Sequence, residues 1–254
     1  MHDSILISGA SSGIGAALAY ECAKRGAKRL FLGGRNRDRL EAVAERCRGV
    51  SAAEVSTAIV DVTDERATRE WVEGCAAGAP LELVFANAGV ATGRETEANI
   101  RRTFATNVGG VLNVALPALE GFRRAGGGRR HLVLTASIAG YAPLSGCPSY
   151  SGTKAAVKTW GLAMRGHLRK EGIRVSVVCP GFVRSGITDL NTCPMPFFME
   201  ADRAARIILD RVERNVGLIA FPWPMRMAVW MLSCLPSALV EFITRLLPAK
   251  SNML

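Results

Sequence analysis

The fold of this chain is decided by residues 4–15, which read Ser4-Ile5-Leu6-Ile7-Ser8-Gly9-Ala10-Ser11-Ser12-Gly13-Ile14-Gly15. The apolar residues at the start predict a short buried strand, and an Ala-rich run of helical character follows the glycines. Glycine at positions 9, 13 and 15 permits a tight turn and lets the backbone approach a pyrophosphate at a helix N-terminus. A turn of this kind indicates either a dinucleotide site or close packing between a strand and a helix.

Six further apolar runs lie along the 254 residues, separated by segments of helical period. They are continuous rather than alternating, as expected of strands covered on both faces. We therefore predict one α/β domain over residues 1–221, with a Rossmann-type doubly wound parallel sheet of about seven strands and helices on both faces. The later strands are predicted at Leu30–Leu32, Ser56–Val62, Leu81–Ala86, His131–Thr135, Val175–Val178 and Leu218–Phe221.

Composition and charge exclude several classes of function. The net charge is +10, but the basic residues are scattered and no nucleic-acid-binding motif accompanies them, so we expect no nucleic-acid partner. The seven cysteines contain no C-x-x-C spacing, which argues against a metal site and a disulfide framework. The first strand begins by about Ser4 and leaves no room for a signal peptide, so we expect a reducing cytoplasm.

The end of the second predicted strand reads Leu32-Gly33-Gly34-Arg35. Dinucleotide folds often place an acid here to hold a ribose 2′-hydroxyl, and an acid would repel a 2′-phosphate. Arg35 can instead pair with that phosphate through charge-assisted hydrogen bonds. The sequence therefore favours NADP(H), unless Arg35 is simply a solvated residue that opens the next helix.

Tyr150 and Lys154 are four residues apart in a segment of helical character, so they share one face. An ammonium group beside a phenol favours the phenolate, so we expect Lys154 to lower the pKa of Tyr150. Ser137 follows the strand His131–Thr135 and belongs at the carboxyl edge of the sheet, where ligands of such folds bind. A lone Tyr-x-x-x-Lys pair is common by chance, and its meaning depends on this context.

Taken together, these motifs resemble the short-chain dehydrogenase/reductase family from Ser4 to about Phe221. Two positions depart from the usual pattern: Ser185 stands where the family often has Thr, and Ala86 replaces a first Asn. Neither departure removes a proposed catalytic group. The motifs that carry the resemblance occur in the family's order and are Ser8–Gly15, Asp61-Val62, Ala86-Asn87-Ala88-Gly89, Asn107, Ser137, Tyr150 with Lys154, and Pro180-Gly181.

The resemblance implies a role for each matching residue. Tyr150 would be the acid/base, and Ser137 would position and polarise the substrate carbonyl. Lys154 would bind the nicotinamide ribose and tune Tyr150, and Asn107 would hold a water in a proton relay. NADP(H) would contact Gly9, Ser11, Ser12, Gly13, Ile14, Gly15, Arg35, Asp61, Val62, Asn87, Ala88, Gly89, Tyr150, Lys154, Pro180, Gly181, Val183 and Ser185.

The expected substrate is a small carbonyl or alcohol compound, bound by Ser137, Tyr150, Tyr141 and Leu144. Apolar residues near the expected pocket, including those of the loop Ile187–Met199, suggest that this compound is apolar. Ordinary packing beneath a loop explains the same residues equally well.

Two segments suggest surfaces that contact a partner. Residues Phe104–Phe122 form a predicted helix with one charged residue, Glu120, which indicates a homodimer or homotetramer contact or complete burial within the chain. Residues 222–254 are predicted to form an apolar helical extension. Its uncharged stretch Met227–Val240 is too short to span a bilayer, so the extension would pack on the domain, on a partner subunit or, through 222–250, on a membrane surface.

The sequence therefore predicts an NADP(H)-dependent oxidoreductase that transfers hydride between nicotinamide and a carbonyl or alcohol. The alternative is an NADP(H)-binding regulatory or membrane-surface interaction protein without turnover. The simultaneous presence of Ser137, Tyr150, Lys154 and Asn107 favours the enzyme, although a fold alone never proves its chemistry.

Overall fold

The computed structural model of the protein describes residues 2–189 and 194–246, apart from the side chains of Ile187 and Asp189. Within that part of the chain, seven strands form one parallel sheet in the order β3-β2-β1-β4-β5-β6-β7. The predicted doubly wound α/β fold is confirmed. The strands are β1 Ser4–Ser8, β2 Arg29–Gly34, β3 Glu54–Ile59, β4 Leu83–Ala86, β5 His131–Thr135, β6 Arg174–Pro180 and β7 Leu218–Phe221.

Helices connect successive strands and cover both faces of the sheet. Asn36, Asp64 and Thr96 each accept the backbone N–H three residues ahead and so cap α2, α3 and α4. The helices are α1 Gly13–Lys24, α2 Arg37–Arg48, α3 Glu65–Cys75, α4 Glu97–Phe104, α5 Gly110–Ala125, α6 Pro148–His167, α7 Gly186–Asp189, α8 Ala201–Glu213, α9 Trp223–Ser233 and α10 Ser237–Leu246.

The core consists of two apolar layers, one on each face of the sheet. Ile5 and Ile7 of β1 pack in the layer covered by α1, α2 and α8, whereas Leu6 packs in the layer covered by α3, α5 and α6. Successive strand residues point to opposite faces, so the continuous apolar runs in the sequence bury both faces at once.

The sheet reverses its strand order next to β1. The chain passes from β1 outward to β3 and then returns to place β4 on the other side of β1, where Ile7 pairs with Leu32 and Phe85. A crevice opens at the carboxyl ends of strands at such a switch point, and ligands of open α/β sheets bind there.

The segment Phe104–Phe122 is not one helix as predicted. A π-helical turn, Ala105–Gly109, separates α4 from α5. Burial within the chain, the alternative reading, accounts for most of its apolar residues, because Val114, Leu119 and Phe122 lie in the core. Phe104 and Leu116 remain 47% and 45% exposed.

Residues 222–246 of the predicted extension form two short helices, α9 and α10, and residues 247–254 lie outside the part of the chain that the structure describes. Met225 and Val229 of α9 pack against the core layer next to α6, and Val240 of α10 is buried. The opposite sides of the two helices expose large apolar side chains, among them Trp223, Trp230, Met231, Phe242 and Leu246. Among the described helices, none has the length and apolar character needed to cross a bilayer.

Candidate active site

A cavity of about 370 Å³ lies at the carboxyl ends of β1, β2, β4, β5 and β6. It occupies the switch point beside β1. Every residue that the sequence predicts to contact a cofactor lines this cavity, and so do Ser137, Tyr150 and Lys154. The fold thus brings together predicted cofactor residues that lie as far apart in the chain as Gly9 and Ser185.

The turn after β1 admits only glycine at the decisive positions. Gly9 and Gly13 have φ angles of +69° and +54°, which disfavour other residues. A Cβ on Gly15 would lie 2.1 Å from the Gly9 carbonyl oxygen, and one on Gly13 would lie 2.7 Å from the Ser185 Cβ. The backbone therefore comes close to the cavity without side chains in between.

This turn leads directly into α1. Its N-cap residue, Ser12, makes no side-chain capping bond within the described residues, so the first amides of α1 stay available to an anionic group in the cavity. The Ser8 hydroxyl accepts the N–H groups of Asn87 and Ala88, which holds the end of β4 against the turn. The chemistry and shape of this cradle fit a dinucleotide pyrophosphate.

Arg35 lies at the end of the cavity beyond β2, where its guanidinium Nη1 is 3.6 Å from Asp61 Oδ2. Burial raises the pKa of Asp61, but hydrogen bonds from Thr63 and the charge of Arg35 outweigh it and hold the pKa below its usual value. Asn36 and Arg39 also line this end. The sequence prediction did not include Arg39, although it lies four residues after Arg35, in the first turn of α2, and on that ground could have been found.

Lys154 occupies the floor of the other end of the cavity. Its Nζ donates to the Thr135 carbonyl oxygen at 3.0 Å and lies 5.7 Å from the centre of the Tyr150 ring. The side chain is almost fully buried, and this burial lowers the pKa of Lys154 to about 8. A Cβ on Gly89 would lie 3.3 Å from Nζ, so the loop after β4 passes directly over the amine.

The pKa of Tyr150 is shifted opposite to the predicted direction. Burial raises it to about 12, and a hydrogen bond with Ser137 counteracts only part of the increase. Lys154 is not among the groups that shift the pKa of Tyr150, and its ammonium donates to the Thr135 carbonyl oxygen. In the protein alone, Tyr150 is therefore protonated at neutral pH.

Ser137 lies next to Tyr150, and Asn107 lies near Lys154 beneath Gly89. The Ser137 hydroxyl accepts the N–H of Ala139 at 3.1 Å and donates to the Pro180 carbonyl at 3.4 Å. Asn107 lies in the π-helical turn, a type of distortion that is frequent at functional sites. Its side chain is fully buried behind the cavity, where it bonds both backbone groups of Val90 and the Thr153 hydroxyl.

Tyr141 and Leu144 do not lie in the cavity with Ser137 and Tyr150. The 3₁₀ turn Ile138–Gly140 carries the chain past the edge of α6, so both residues line a second cavity of about 590 Å³ between α6 and α10. They therefore lie outside the cavity that contains Ser137 and Tyr150, and their role in binding the substrate stays a prediction. Val90, predicted to lie near the pocket, does line the cavity, whereas the prediction missed Thr135 and Ala136, which also line it.

Sequence comparison shows that this chain is similar to known oxidoreductases. A family model described as short chain dehydrogenase matches residues 3–192. An uncharacterized oxidoreductase of Myxococcus xanthus is 36% identical over 250 residues, which cover 94% of this chain and 95% of that protein. An 11-beta-hydroxysteroid dehydrogenase-like protein of Arabidopsis thaliana is 27% identical over 250 residues, or 93% of this chain and 82% of that protein.

A solved structure shows the same similarity in three dimensions. The short-chain dehydrogenase from Sphingobium yanoikuyae in complex with NADPH has a TM-score of 0.79 and 28% sequence identity, over 92% of this chain and 96% of that chain. The parallel sheet with a cavity at its switch point defines an α/β protein of the dinucleotide-binding type. The chain belongs to the short-chain dehydrogenase/reductase family of oxidoreductases.

Proposed function

We propose that this protein is an NADP(H)-dependent oxidoreductase that interconverts a carbonyl and an alcohol, with Tyr150 as the acid/base. The observation that carries the proposal is the shared cavity, in which Ser137, Tyr150 and Lys154 border the same space as the glycine turn. A cofactor seated on the turn and a substrate oxygen beside Tyr150 would therefore be neighbours. The NADPH complex of the Sphingobium relative supports this reading.

When bound, a nicotinamide cofactor would supply the hydride for the carbonyl carbon, and the protein would orient the two reactants and polarise the carbonyl. Tyr150 protonates the carbonyl oxygen as the general acid, and in the reverse direction it accepts the proton of the alcohol as the general base. Ser137 donates a hydrogen bond to the same oxygen, and Lys154 binds the nicotinamide ribose. Asn107 fixes the loop at Val90 and keeps the floor of the site in place.

The test is NADPH oxidation with a panel of aldehydes, ketones, quinones and 3-oxoacyl or steroid-like compounds. We expect turnover of at least one class, and we expect Tyr150→Phe to abolish it while NADPH still binds, because only the proton donor is lost. Turnover retained by Tyr150→Phe would refute the assigned role. Tight NADPH binding without turnover of any compound would favour the alternative, an NADP(H)-binding protein that regulates or interacts without catalysis.

We further propose that Arg35 and Arg39 select NADP(H) over NAD(H) by pairing with the 2′-phosphate. Arg35→Ala should weaken NADPH binding roughly ten- to a hundredfold, the range for a lost charge-assisted bond, and leave NADH binding nearly unchanged. Arg37→Ala is the matched control, because Arg37 is an exposed arginine two residues after Arg35 and does not line the cavity. A higher kcat/KM with NADH than with NADPH in the unaltered protein would contradict the preference.

We infer an apolar substrate from the residues around Ser137. Val90, Ala136 and Val183 line the cavity there, and Pro222 and Met225 of the C-terminal helices lie against Gly181 at its rim. Few groups in this region would satisfy a highly polar ligand. Within the panel, turnover confined to small polar aldehydes would count against this inference.

We also propose that the protein is a cytoplasmic homodimer or homotetramer. Support comes from exposed apolar residues of the helices beside α6, namely Phe104 and Leu116. Burial of such side chains between subunits is more favourable than their exposure to water. Light scattering at micromolar concentration should give a mass above that of the 27.1 kDa chain, and a clean monomer mass would exclude the assembly.

A further inference from the structure

Glu95, an acidic residue of the loop between β4 and α4, makes two hydrogen bonds to the first turn of α6. Glu95 Oε1 accepts the backbone N–H of Ser149 at 3.1 Å, and Glu95 Oε2 accepts the Ser149 hydroxyl. Ser149 is buried and directly precedes Tyr150 in α6. The contact therefore reaches the residue next to the proposed acid/base from a segment 54 positions earlier in the chain.

The first turn of α6 needs an acceptor at this point. Pro148 is the first residue of the helix and has no N–H, so the N–H of Ser149 is the first donor that the turn presents. In α2, α3 and α4 the equivalent acceptor is the side chain of the N-cap residue itself, as with Asp64 and Ala67. In α6 a carboxylate from another segment takes this place, and its charge is favourable at a helix N-terminus.

The segment that carries Glu95 is itself held on both sides. Asn107 bonds the N–H and the carbonyl of Val90 at 2.8 and 2.9 Å. On the other side, Asn99 Nδ2 donates to the Arg94 carbonyl at 2.9 Å, and Thr96 caps α4. Glu95 thus connects the start of α6 to a loop that hydrogen bonds hold in place. The same loop begins with residues 87–89, which line the cavity.

We propose that Glu95 is a positioning residue that holds the first turn of α6, and with it Tyr150, at a fixed distance from the loop that lines the cofactor cavity. The inference rests on the proposed role of Tyr150. Proton transfer requires the donor and acceptor atoms within about 2.6–3.2 Å, so a small displacement of the first turn removes Tyr150 from reach of the substrate oxygen. Glu95 would act on the rate of turnover and not on cofactor affinity.

The experiment compares Glu95→Ala and Glu95→Gln with Asp64→Ala. Asp64 is the matched control because its side chain caps α3, which contributes no described residue to the cavity. Amide hydrogen exchange of the α6 first turn is measured in the NADPH complex, and kcat and KM are measured with the panel compound that the unaltered protein turns over fastest. Thermal unfolding midpoints report the general loss of stability.

Glu95→Ala should speed exchange in the first turn of α6 and lower kcat roughly ten- to a hundredfold, the cost of a small misplacement of a reacting group. The KM for NADPH should stay unchanged. Glu95→Gln should retain the slow exchange and the kcat of the unaltered protein, because its amide oxygen accepts the Ser149 N–H and its NH₂ donates to the Ser149 hydroxyl. Asp64→Ala should lower the unfolding midpoint comparably and leave kcat unchanged.

Unchanged exchange in Glu95→Ala would overturn the proposal, as would faster exchange with an unchanged kcat or a loss of kcat that Glu95→Gln fails to restore. Failure of the proposed function is distinguishable from these results. It would appear as an absence of turnover in the unaltered protein, and the exchange comparison between the two Glu95 variants would then still decide whether Glu95 holds the first turn.

Discussion

At the scale of single residues, burial has a larger effect than sequence neighbours on the ionisation of the site. Lys154 and Tyr150 lie one helical turn apart, and this spacing suggests that the ammonium acts on the phenol. Lys154 is instead buried and Tyr150 is half-buried at the cavity, and loss of solvent raises the pKa of Tyr150 and lowers that of Lys154. Which backbone carbonyl an ammonium meets depends on packing, and no sequence spacing contains that information.

His131 shows the same effect away from the site. It lies fully buried at the start of β5, and burial lowers its pKa to about 3, with His2, Arg174 and Arg165 adding to the shift. Its Nε2 bonds the Ser176 hydroxyl, which itself donates to the Val216 carbonyl, so the neutral ring carries its proton on Nε2. Its Nδ1 has no partner among the described residues.

This histidine should make the protein sensitive to mild acid. The unfolded chain binds a proton at His131 below about pH 6.5, whereas the folded protein does not until about pH 3. The stability that it contributes is therefore present above pH 6.5 and is lost as the pH falls toward 3, by roughly 2 kcal/mol at pH 5. Urea unfolding at pH 7.5 and pH 5 should show this loss, and His131→Gln should reduce it.

His167→Gln is the control for this measurement, because His167 is an exposed histidine at the end of α6. It should leave the difference between the two pH values as it is in the unaltered protein. An equal acid sensitivity in His131→Gln would show that another group is responsible.

At the scale of elements, glycines in one helix have opposite roles. Gly161 of α6 faces the sheet, and an added Cβ would lie 2.6 Å from Val177 Cγ2 and 2.7 Å from Leu134 Cδ1. Gly166, further along the same helix, has no atom within 4 Å of that position. The first glycine therefore sets how closely α6 approaches β5 and β6, while the second only weakens the helix.

Replacement of each glycine by alanine should separate these roles. Gly161→Ala should destabilise the protein by about 1–3 kcal/mol through overpacking. Gly166→Ala should stabilise it by about 0.5–1 kcal/mol, because alanine has a higher helix propensity. Chemical denaturation measures the free energy of unfolding of both variants. Equal changes would contradict the role of Gly161 in setting the distance between α6 and the sheet.

At the scale of the whole molecule, the C-terminal helices pack against the rim of the cavity on one side and expose apolar residues to solvent on the other. Met225 lies against Gly181 at the rim of the cavity, while Trp223, Trp230 and Phe242 are 75%, 51% and 61% exposed. Exposed aromatic side chains on short apolar helices suit a membrane interface, and the net charge of +10 favours an anionic one. We propose peripheral contact of α9 and α10 with such a surface.

Replacement of both Trp230 and Phe242 by serine should weaken binding to vesicles of phosphatidylglycerol and phosphatidylcholine roughly tenfold or more, because two large apolar side chains are lost. Vesicle sedimentation measures the bound fraction. Val50→Ser is the control, since Val50 is 42% exposed on the loop after α2. Equal binding of the double variant and the unaltered protein would exclude this surface as the contact.

The sequence by itself determined the features that depend on local order. Continuous apolar runs separated by helical segments predicted all seven strands, and the Tyr150–Lys154 spacing predicted one helical face, because both patterns act within a single element. The boundaries were less exact: residues 60–62 belong to the loop after β3, where they line the cavity.

Only the tertiary structure decided which residues of different helices, strands and loops contact one another. The path of a single 3₁₀ turn moves Tyr141 and Leu144 from the cavity at Tyr150 to the one beside α10, although they are close to Ser137 in the chain. Glu95 contacts Ser149 because the loop before α4 passes the start of α6, and no periodicity or motif in the sequence predicts this contact. Such contacts depend on how closely packed layers place distant segments, and that is a property of the whole fold.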